Sequence, residues 1–269
     1  MRREDSIELL EEVCRLGVAV CCLDSAGTSH FENIYPSANP DIREQRVRSL
    51  ADPFEGLDIA GIDAKVFHFG PLMRGDIPAA LLQAAQEKRA GVVLDGQGLV
   101  RILRDGRVEQ EAWPWGGQSL QWVDVLKADI VETYLLAGKK TVGQGLQKLA
   151  GWGPSEILAT NGSQGSQVYW RGRIFDIPAF NPAREVDATG CGDTYTAGYV
   201  ARRFQSSDVE ECAYYAAALA SIKLEAYGPV QERGRSLDKQ IKAHLSSFKA
   251  GGVELAADAE PLPGRYPSG

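Results

Sequence analysis

Short apolar runs alternate with amphipathic stretches through most of the chain. The runs are four or five residues long, which suits strands buried on both faces, and they predict strands over residues 65–69, 91–95, 128–131 and 156–160. Between them, apolar residues spaced three and four apart predict helices over residues 77–89, 119–126, 142–150, 208–224 and 238–248. This alternation predicts an α/β fold with a mostly parallel sheet and helices on both faces.

The N-terminal part departs from this alternation. A helix is predicted from Ser6 to Gly17, followed by an apolar strand over 18–23. Strands over 28–35 and 43–50 flank a turn over 36–41, and this hairpin predicts a small β lid or interface element. Residues 1–250 are therefore expected to form one α/β domain, whose residues 18–50 include the lid. The glycine-, proline- and alanine-rich residues 251–269 are expected to form a loose tail.

Charge and composition narrow the class of protein. The 269 residues carry a net charge of −7, which argues against a general nucleic-acid surface. No apolar run approaches the roughly 20 residues that span a bilayer, and the opening residues lack the apolar core of a signal peptide. The five cysteines lack metal-ligand spacing and are interpreted as buried free thiols. We therefore expect a cytoplasmic protein with no nucleic-acid or membrane partner.

Polar residues follow several of the predicted strands. In open α/β sheets, ligands bind beyond the carboxyl ends of the strands. Asp95, the pair Asp129 and Glu132, and the small-residue turn over 160–166 all occupy such positions. The two carboxylates suit Mg²⁺ held through water, and the turn suits the phosphates or ribose of a nucleotide. Taken singly, each also fits a plainer interpretation, as a solvated surface pair or an ordinary turn.

The stretch over 185–194 is the most informative. It lies between a predicted strand over 173–180 and a predicted helix over 195–204, and Gly190 and Gly192 flank Cys191 within it. A glycine turn that leads onto a helix N-terminus offers free N–H groups and a positive dipole end to an anion. Asp193, at the start of the helix, could take a proton from an attacking hydroxyl. The alternative is a plain helix cap.

The eight residues of the glycine turn closely resemble the second signature of the ribokinase-like (PfkB) carbohydrate kinase family. They are Asp187-Ala188-Thr189-Gly190-Cys191-Gly192-Asp193-Thr194. Residues 127–132 are similar to the family's magnesium segment, 160–166 to its nucleotide loop, and 216–228 to its late helix against the adenine. The resemblance implies a kinase that transfers the γ-phosphoryl group of ATP to a hydroxymethyl group of a sugar, nucleoside or related polyol.

The resemblance also implies residue roles. Asp193 would be the base, and Gly190, Cys191 and Gly192 would donate N–H groups to the transferred phosphoryl group. Cys191 stands where alanine is usual, and its thiol is expected to be somewhat acidic. Asp129 and Glu132 would hold Mg²⁺, and Asp187 and Thr189 a monovalent cation such as K⁺. The implied nucleotide-binding residues are Lys127, Thr160, Gly162, Ser163, Gly165, Ala217, Ala218 and Gly228.

One departure from the family pattern leaves an alternative open. Family members begin with a strand that carries an aspartate, followed by a glycine pair that contacts the sugar. This chain shows no glycine pair before Gly116-Gly117, and so is expected to lack that opening segment. The alternative function is a non-catalytic relative that binds nucleotides or dimerises. A homodimer through the lid is also expected.

Overall fold

The computed structural model describes residues 1, 10–11, 13–34, 44–113, 116–230 and 234–249. The strands, in chain order, are β1 (His30–Ile34), β2 (Glu44–Ser49), β3 (Val66–Phe69), β4 (Gly91–Asp95), β5 (Arg101–Arg104), β6 (Arg107–Gln110), β7 (Val125–Asp129), β8 (Glu156–Thr160), β9 (Ser166–Trp170) and β10 (Arg173–Ile177). The helices are α1 (Ala79–Glu87), α2 (Gln97–Val100), α3 (Ile130–Ala137), α4 (Val142–Ala150), α5 (Cys191–Arg203), α6 (Val209–Leu224) and α7 (Arg235–Lys249). Residues 10–11 and 13–15 are also helical.

The main sheet has six strands in the order β10-β9-β8-β7-β4-β3. Strands β3, β4, β7 and β8 run parallel, whereas β9 and β10 form an antiparallel hairpin at one edge. Two reversals restore the original direction, so β10 points the same way as β8. The predicted α/β fold with a mostly parallel sheet is confirmed.

Helices cover both faces of this sheet. Because successive strand residues face opposite sides, Val92 and Val93 of β4 belong to two different core clusters. Leu81 and Leu146 bring α1 and α4 to the Val92 side. On the Val93 side, α5, α6 and α7 contribute buried side chains that include Tyr199, Ala213 and Ile241. The helix that carries Asp193 is therefore packed directly against the sheet.

A second, antiparallel sheet has the order β1-β2-β6-β5. The predicted lid hairpin is present as β1 and β2. The hairpin β5–β6 extends it through the pair Arg46–Arg107 and was not predicted. Its turn is Asp105-Gly106, both with positive φ, and an Asp-Gly pair is a strong hairpin signal. Residues 18–23, predicted as a strand, belong to neither sheet of the described residues, and Val18, Val20 and Leu23 are exposed.

The segment before α3 was predicted wrongly. Instead of a helix over 119–126 and a strand over 128–131, the structure has a 3₁₀ turn at Leu120–Trp122, then β7 and then α3. Asp129 caps α3, and its side chain accepts a hydrogen bond from Glu132 N. The sequence carries this signal as a carboxylate followed by a glutamate three positions later.

Other predictions about the surface are corrected or lie outside the described residues. All five cysteines are free, but Cys212 alone is buried, while Cys14, Cys21 and Cys22 are exposed. No helix in the described ranges is long and apolar enough to cross a membrane. Residues 2–9, the predicted turn over 36–41 and the predicted tail over 251–269 lie outside the described residues.

Candidate active site

The polar segments meet at one edge of the main sheet. Asp129 of β7 pairs with Thr160 of β8, and Thr160 pairs with Ser166 of β9. Ser166 in turn pairs with Ile177, the last residue of β10. The segments that follow β7, β8 and β10 therefore all begin at the same level of the sheet.

The glycine turn delivers the chain onto α5. Gly190 occupies the N-cap with φ +80°, a left-handed conformation that suits glycine. Asp193 is exposed in the first turn of this 13-residue helix. The first N–H groups of a helix have no intrahelical acceptor and carry the positive end of the dipole. The turn therefore presents an anion site beside an accessible carboxylate.

Lys127 supplies a fixed positive charge to this turn. A Cβ placed on Gly192 would lie 3.3 Å from Lys127 Nζ, so the ammonium lies directly against the glycine backbone. The ammonium also pairs with Asp95 Oδ2 at 3.0 Å, and both side chains are buried. Burial lowers the pKa of Lys127, but Asp95, Glu132 and Asp129 together raise it above its ordinary value. Lys127 is therefore charged.

Asp129 and Glu132 form a capping box at the start of α3. Asp129 Oδ1 accepts from Glu132 N, and Glu132 Oε2 accepts from Asp129 N, each at 2.7 Å. Burial raises the pKa of Glu132 to about 7, with Lys127 opposing the shift and Asp129 adding to it. One oxygen of each carboxylate lies outside the box. This donor set fits Mg²⁺, which takes one or two carboxylates and completes its shell with water and phosphate.

The predicted nucleotide loop forms a 3₁₀ turn at Gly162–Gln164. Gly162 and Ser163 are exposed, and Asn161 N donates to Gly165 O at 2.8 Å. Gly165 has φ +90°, and a Cβ there would lie 2.2 Å from Ile177 O, so only glycine fits against β10. Asn161 and Gln164 also line a cavity of about 470 Å³.

Ala217 and Ala218, two of the residues predicted to bind the nucleotide, lie in the hydrophobic core. Ala218 is fully buried and Ala217 nearly so, because this face of α6 packs in the core on the Val93 side of the sheet. Their side chains are not open to a nucleotide, which corrects that expectation. Gly228, beyond the end of α6, is exposed with φ +74°.

The surroundings of Asp187 and Cys191 also differ from expectation. Lys223 donates to both the backbone carbonyl and the side chain of Asp187, so this oxygen set does not fit an added monovalent cation. Thr189 contributes its backbone N–H to Asp187 Oδ1. The expected acidic thiol at Cys191 is wrong, because burial raises the pKa of that thiol.

His68 is a further candidate, and the sequence analysis did not single it out. It is exposed on β3, whereas its neighbours Phe67 and Phe69 are buried on the opposite face. Desolvation lowers the pKa of His68, while the carboxylates of Asp95 and Asp193 oppose that change. His68 therefore lies within the electrostatic field of Asp193. The alternation of phenylalanine and histidine, read with a period of two, was the signal available.

Comparison with known proteins is consistent with this arrangement. A ribokinase from Arabidopsis thaliana is 29% identical over 167 residues, which cover 59% of this chain and 41% of that protein. A nucleoside kinase from Methanocaldococcus jannaschii is 36% identical over 72 residues, which cover 27% and 24%. The matched parts thus span less than half the length of these two curated relatives.

Solved structures show a similarity over most of the chain. A pyrophosphate-dependent kinase in the ribokinase family, solved as a sulfate complex, superposes with a TM-score of 0.79 at 28% identity. The superposition covers 89% of this chain and 83% of that one. Residues 5–232 match the sequence model described as pfkB family carbohydrate kinase. Because that match takes in both the glycine turn and the Lys127 strand, the chain belongs to the pfkB family of carbohydrate kinases.

Proposed function

We propose that this chain transfers a phosphoryl group to a hydroxymethyl group of a sugar, nucleoside or related polyol. The observation that carries the proposal is the buried Lys127 ammonium against Gly192, at the N-terminus of α5. Phosphoryl transfer needs little covalent help from the protein but strong stabilisation of negative charge. A desolvated ammonium beside free helix N–H groups supplies it.

Asp193 would act as the base. It lies in the first turn of α5, exposed to an incoming hydroxyl, while the turn holds the phosphoryl group. Gly190, Cys191 and Gly192 would donate their N–H groups to the oxygens of that group. A carboxylate beside the transferred group can take the hydroxyl proton as the new P–O bond forms.

We propose MgATP as the donor. Thr160, Gly162, Ser163 and Gly165 would bind the nucleotide, with Lys127 at the phosphates. Asp129 and Glu132 would hold Mg²⁺ through the oxygens outside their capping box. When bound, Mg²⁺ would neutralise charge on the donor phosphates.

Pyrophosphate is the second candidate donor. The burial of Ala217 and Ala218 removes two of the groups expected against an adenine ring, whereas the phosphate-facing turn and Lys127 are both present. The superposed pyrophosphate-dependent kinase of the ribokinase family points the same way. A related structure of such a kinase holds a pyrophosphate analogue and myo-inositol. A ring hydroxyl of myo-inositol, which has no hydroxymethyl group, is therefore the second candidate acceptor.

We propose that the antiparallel sheet β1-β2-β6-β5 closes over the acceptor or pairs with a second copy of the chain. None of the side chains described in β1, β2, β5 and β6 is buried, so the sheet has surface available for either role. Analytical ultracentrifugation would distinguish monomer from dimer.

We also propose a cytoplasmic location, to which the five free thiols are suited.

The test is a matrix of two donors, ATP and pyrophosphate, against ribose, fructose, nucleosides and myo-inositol, each with Mg²⁺. Phosphorylated product, detected by mass spectrometry, is expected with at least one pair. Asp193→Asn serves as the inactive control. Nucleotide binding by calorimetry without product from any pair would contradict the kinase and favour the non-catalytic alternative.

A further inference from the structure

Lys223 is a buried lysine that the proposed reaction does not use. It lies in the last turn of α6, 3% exposed. Its ammonium donates to Asp187 O at 2.9 Å, to Asp187 Oδ2 at 3.2 Å and to Ala226 O at 3.3 Å. An ammonium has three N–H donors, and these three oxygens satisfy them.

The acceptors of Lys223 form an oxygen set of the kind that binds a hard cation. They comprise two backbone carbonyl oxygens and one carboxylate oxygen. Hard cations in proteins are bound by oxygen ligands of these two types. The remaining oxygen of Asp187, Oδ1, accepts from Thr189 N at 2.9 Å. Because the ammonium already lies among these oxygens with a charge of +1, the set has no place for a second cation.

The same contacts fasten the glycine turn to the end of α6. Val186 N and Asp187 N donate to Leu224 O at 2.8 and 3.3 Å. On the other side of the turn, a Cβ on Gly190 would lie 3.9 Å from Lys223 Cε. The lysine side chain therefore lies close to Gly190, the N-cap of α5.

We propose that the Lys223 ammonium takes the place of a monovalent cation beneath the glycine turn. Lys223 is a positioning residue: it holds Asp187, and through it the N–H groups that receive the phosphoryl group. The kinase then needs no K⁺. The activity arm of this inference rests on the proposed function, but the binding of the ammonium or of a cation to Asp187 does not.

The first test uses the wild-type chain in chloride salts of K⁺, Na⁺ and choline at equal ionic strength. Thermal unfolding without substrate is expected to give the same midpoint in all three, and phosphoryl transfer the same rate within twofold. A midpoint or a rate that rises selectively with K⁺ would show that a cation site is still in use and would overturn the inference.

The second test replaces the ammonium. Lys223→Met keeps much of the side-chain length and removes the charge. The oxygens of Asp187 and Ala226 that accept from the ammonium then become available to a cation. In choline the variant should lose at least tenfold in rate, and K⁺ or NH₄⁺ should restore the rate with saturation and raise the unfolding midpoint. Lys148→Met is the matched control: its ammonium caps a helix carbonyl, Ala137 O, away from the turn. It should show no cation dependence.

A loss of rate and midpoint in Lys223→Met that neither K⁺ nor NH₄⁺ reverses would make Lys223 merely structural and overturn the inference. If that variant does not fold, Lys223→Gln is assayed in the same salts with the same criteria. If wild type phosphorylates nothing, the kinase proposal fails, while the unfolding midpoints still decide whether a cation replaces the ammonium.

Discussion

Lys127 Nζ lies 3.0 Å from Asp95 Oδ2, and both side chains are buried beneath the glycine turn. The two residues pair in register on adjacent parallel strands, β4 and β7. This pairing places a compensated ammonium at the sheet edge, with Gly192 packed against it. The ion pair, at the carboxyl ends of two central strands, therefore contributes both to the stability of the sheet and to the positive charge of the anion site.

We expect Lys127→Met to abolish donor binding and also to destabilise the chain. Removing one partner of a buried ion pair leaves an unpaired charge, which typically costs about 3–5 kcal/mol. The double variant Asp95→Asn/Lys127→Met removes both charges and should recover most of that stability without recovering donor binding. Asp95→Asn alone keeps the ammonium and should still bind donor.

The measurements for this set are urea unfolding and calorimetric titration with ATP and with pyrophosphate. If the double variant bound either donor as tightly as wild type does, Lys127 would not be a donor ligand. If Lys127→Met were as stable as wild type, the buried pair would not contribute in the way its geometry suggests.

Asp193→Asn tests the base. The amide keeps the size of the side chain and loses its ability to take a proton, so we expect kcat to fall by roughly 10²–10⁴-fold. Donor affinity should change little, because the turn and Lys127 are unaltered. Glu87→Gln, at an exposed carboxylate on α1 that pairs with Gln83, is the control and should keep full activity. Full turnover by Asp193→Asn would assign the proton transfer to another group.

Much of the framework could be predicted because its signals are local. Strands 91–95 and 156–160 and helix 142–150 were predicted with the bounds that are observed, since continuous apolar runs and regular spacing define them. The hairpin β5–β6 was missed although Asp105-Gly106 announces it, because its strands are short and rich in arginine. The Asp-Gly turn indicates a hairpin there, but the flanking residues lack the clear alternation of apolar and polar residues that is typical of strands.

The site was predictable as a set of positions but not as a set of contacts. The segments carrying Asp129, Thr160 and Asp193 follow strands that end at one edge, which strand order alone implies. The contact of Lys223 with Asp187 joins residues 36 apart in sequence and depends on how α6 packs against the turn. The burial of Ala217 and Ala218 depends on how α6 packs in the core on the Val93 side of the sheet, so no local pattern could reveal it.

Glu132→Gln should change the pH dependence of stability. Burial raises the pKa of Glu132 from 4.5 to about 7 in the folded chain, so the folded state binds the proton more tightly than the unfolded state does. The resulting stabilisation is complete below pH 4.5 and is lost as the pH rises through about 7. The shift is worth on the order of 3 kcal/mol. Glutamine cannot ionise, but its amide oxygen can still accept from Asp129 N.

The check is urea unfolding of both proteins in EDTA between pH 4.5 and 8. The difference in unfolding free energy should favour Glu132→Gln increasingly as the pH rises. Glu87→Gln, at an exposed carboxylate, should follow wild type across the range. A constant difference between Glu132→Gln and wild type would mean that Glu132 does not titrate between these limits.

Two glycines on α5 should separate function from packing. A Cβ on Gly192 meets only the flexible end of Lys127, at 3.3 and 3.4 Å, so Gly192→Ala displaces the ammonium by a few tenths of an ångström and intrudes on the anion site. Alanine also favours a helix over glycine by up to about 1 kcal/mol. We therefore expect the KM for the donor to rise about tenfold with stability unchanged or slightly higher.

Gly198→Ala provides the contrast on the same helix. Its Cβ would lie 2.8 Å from Leu219 Cδ2 and 3.4 Å from Ala216 Cα, where α5 and α6 approach closely. Overpacking of this kind costs about 1–3 kcal/mol, while the anion site is not touched, so donor KM should stay the same. Urea unfolding and donor titrations on both variants test the pair. If Gly192→Ala lowered stability and spared KM, the turn would be a packing element and not the phosphoryl site.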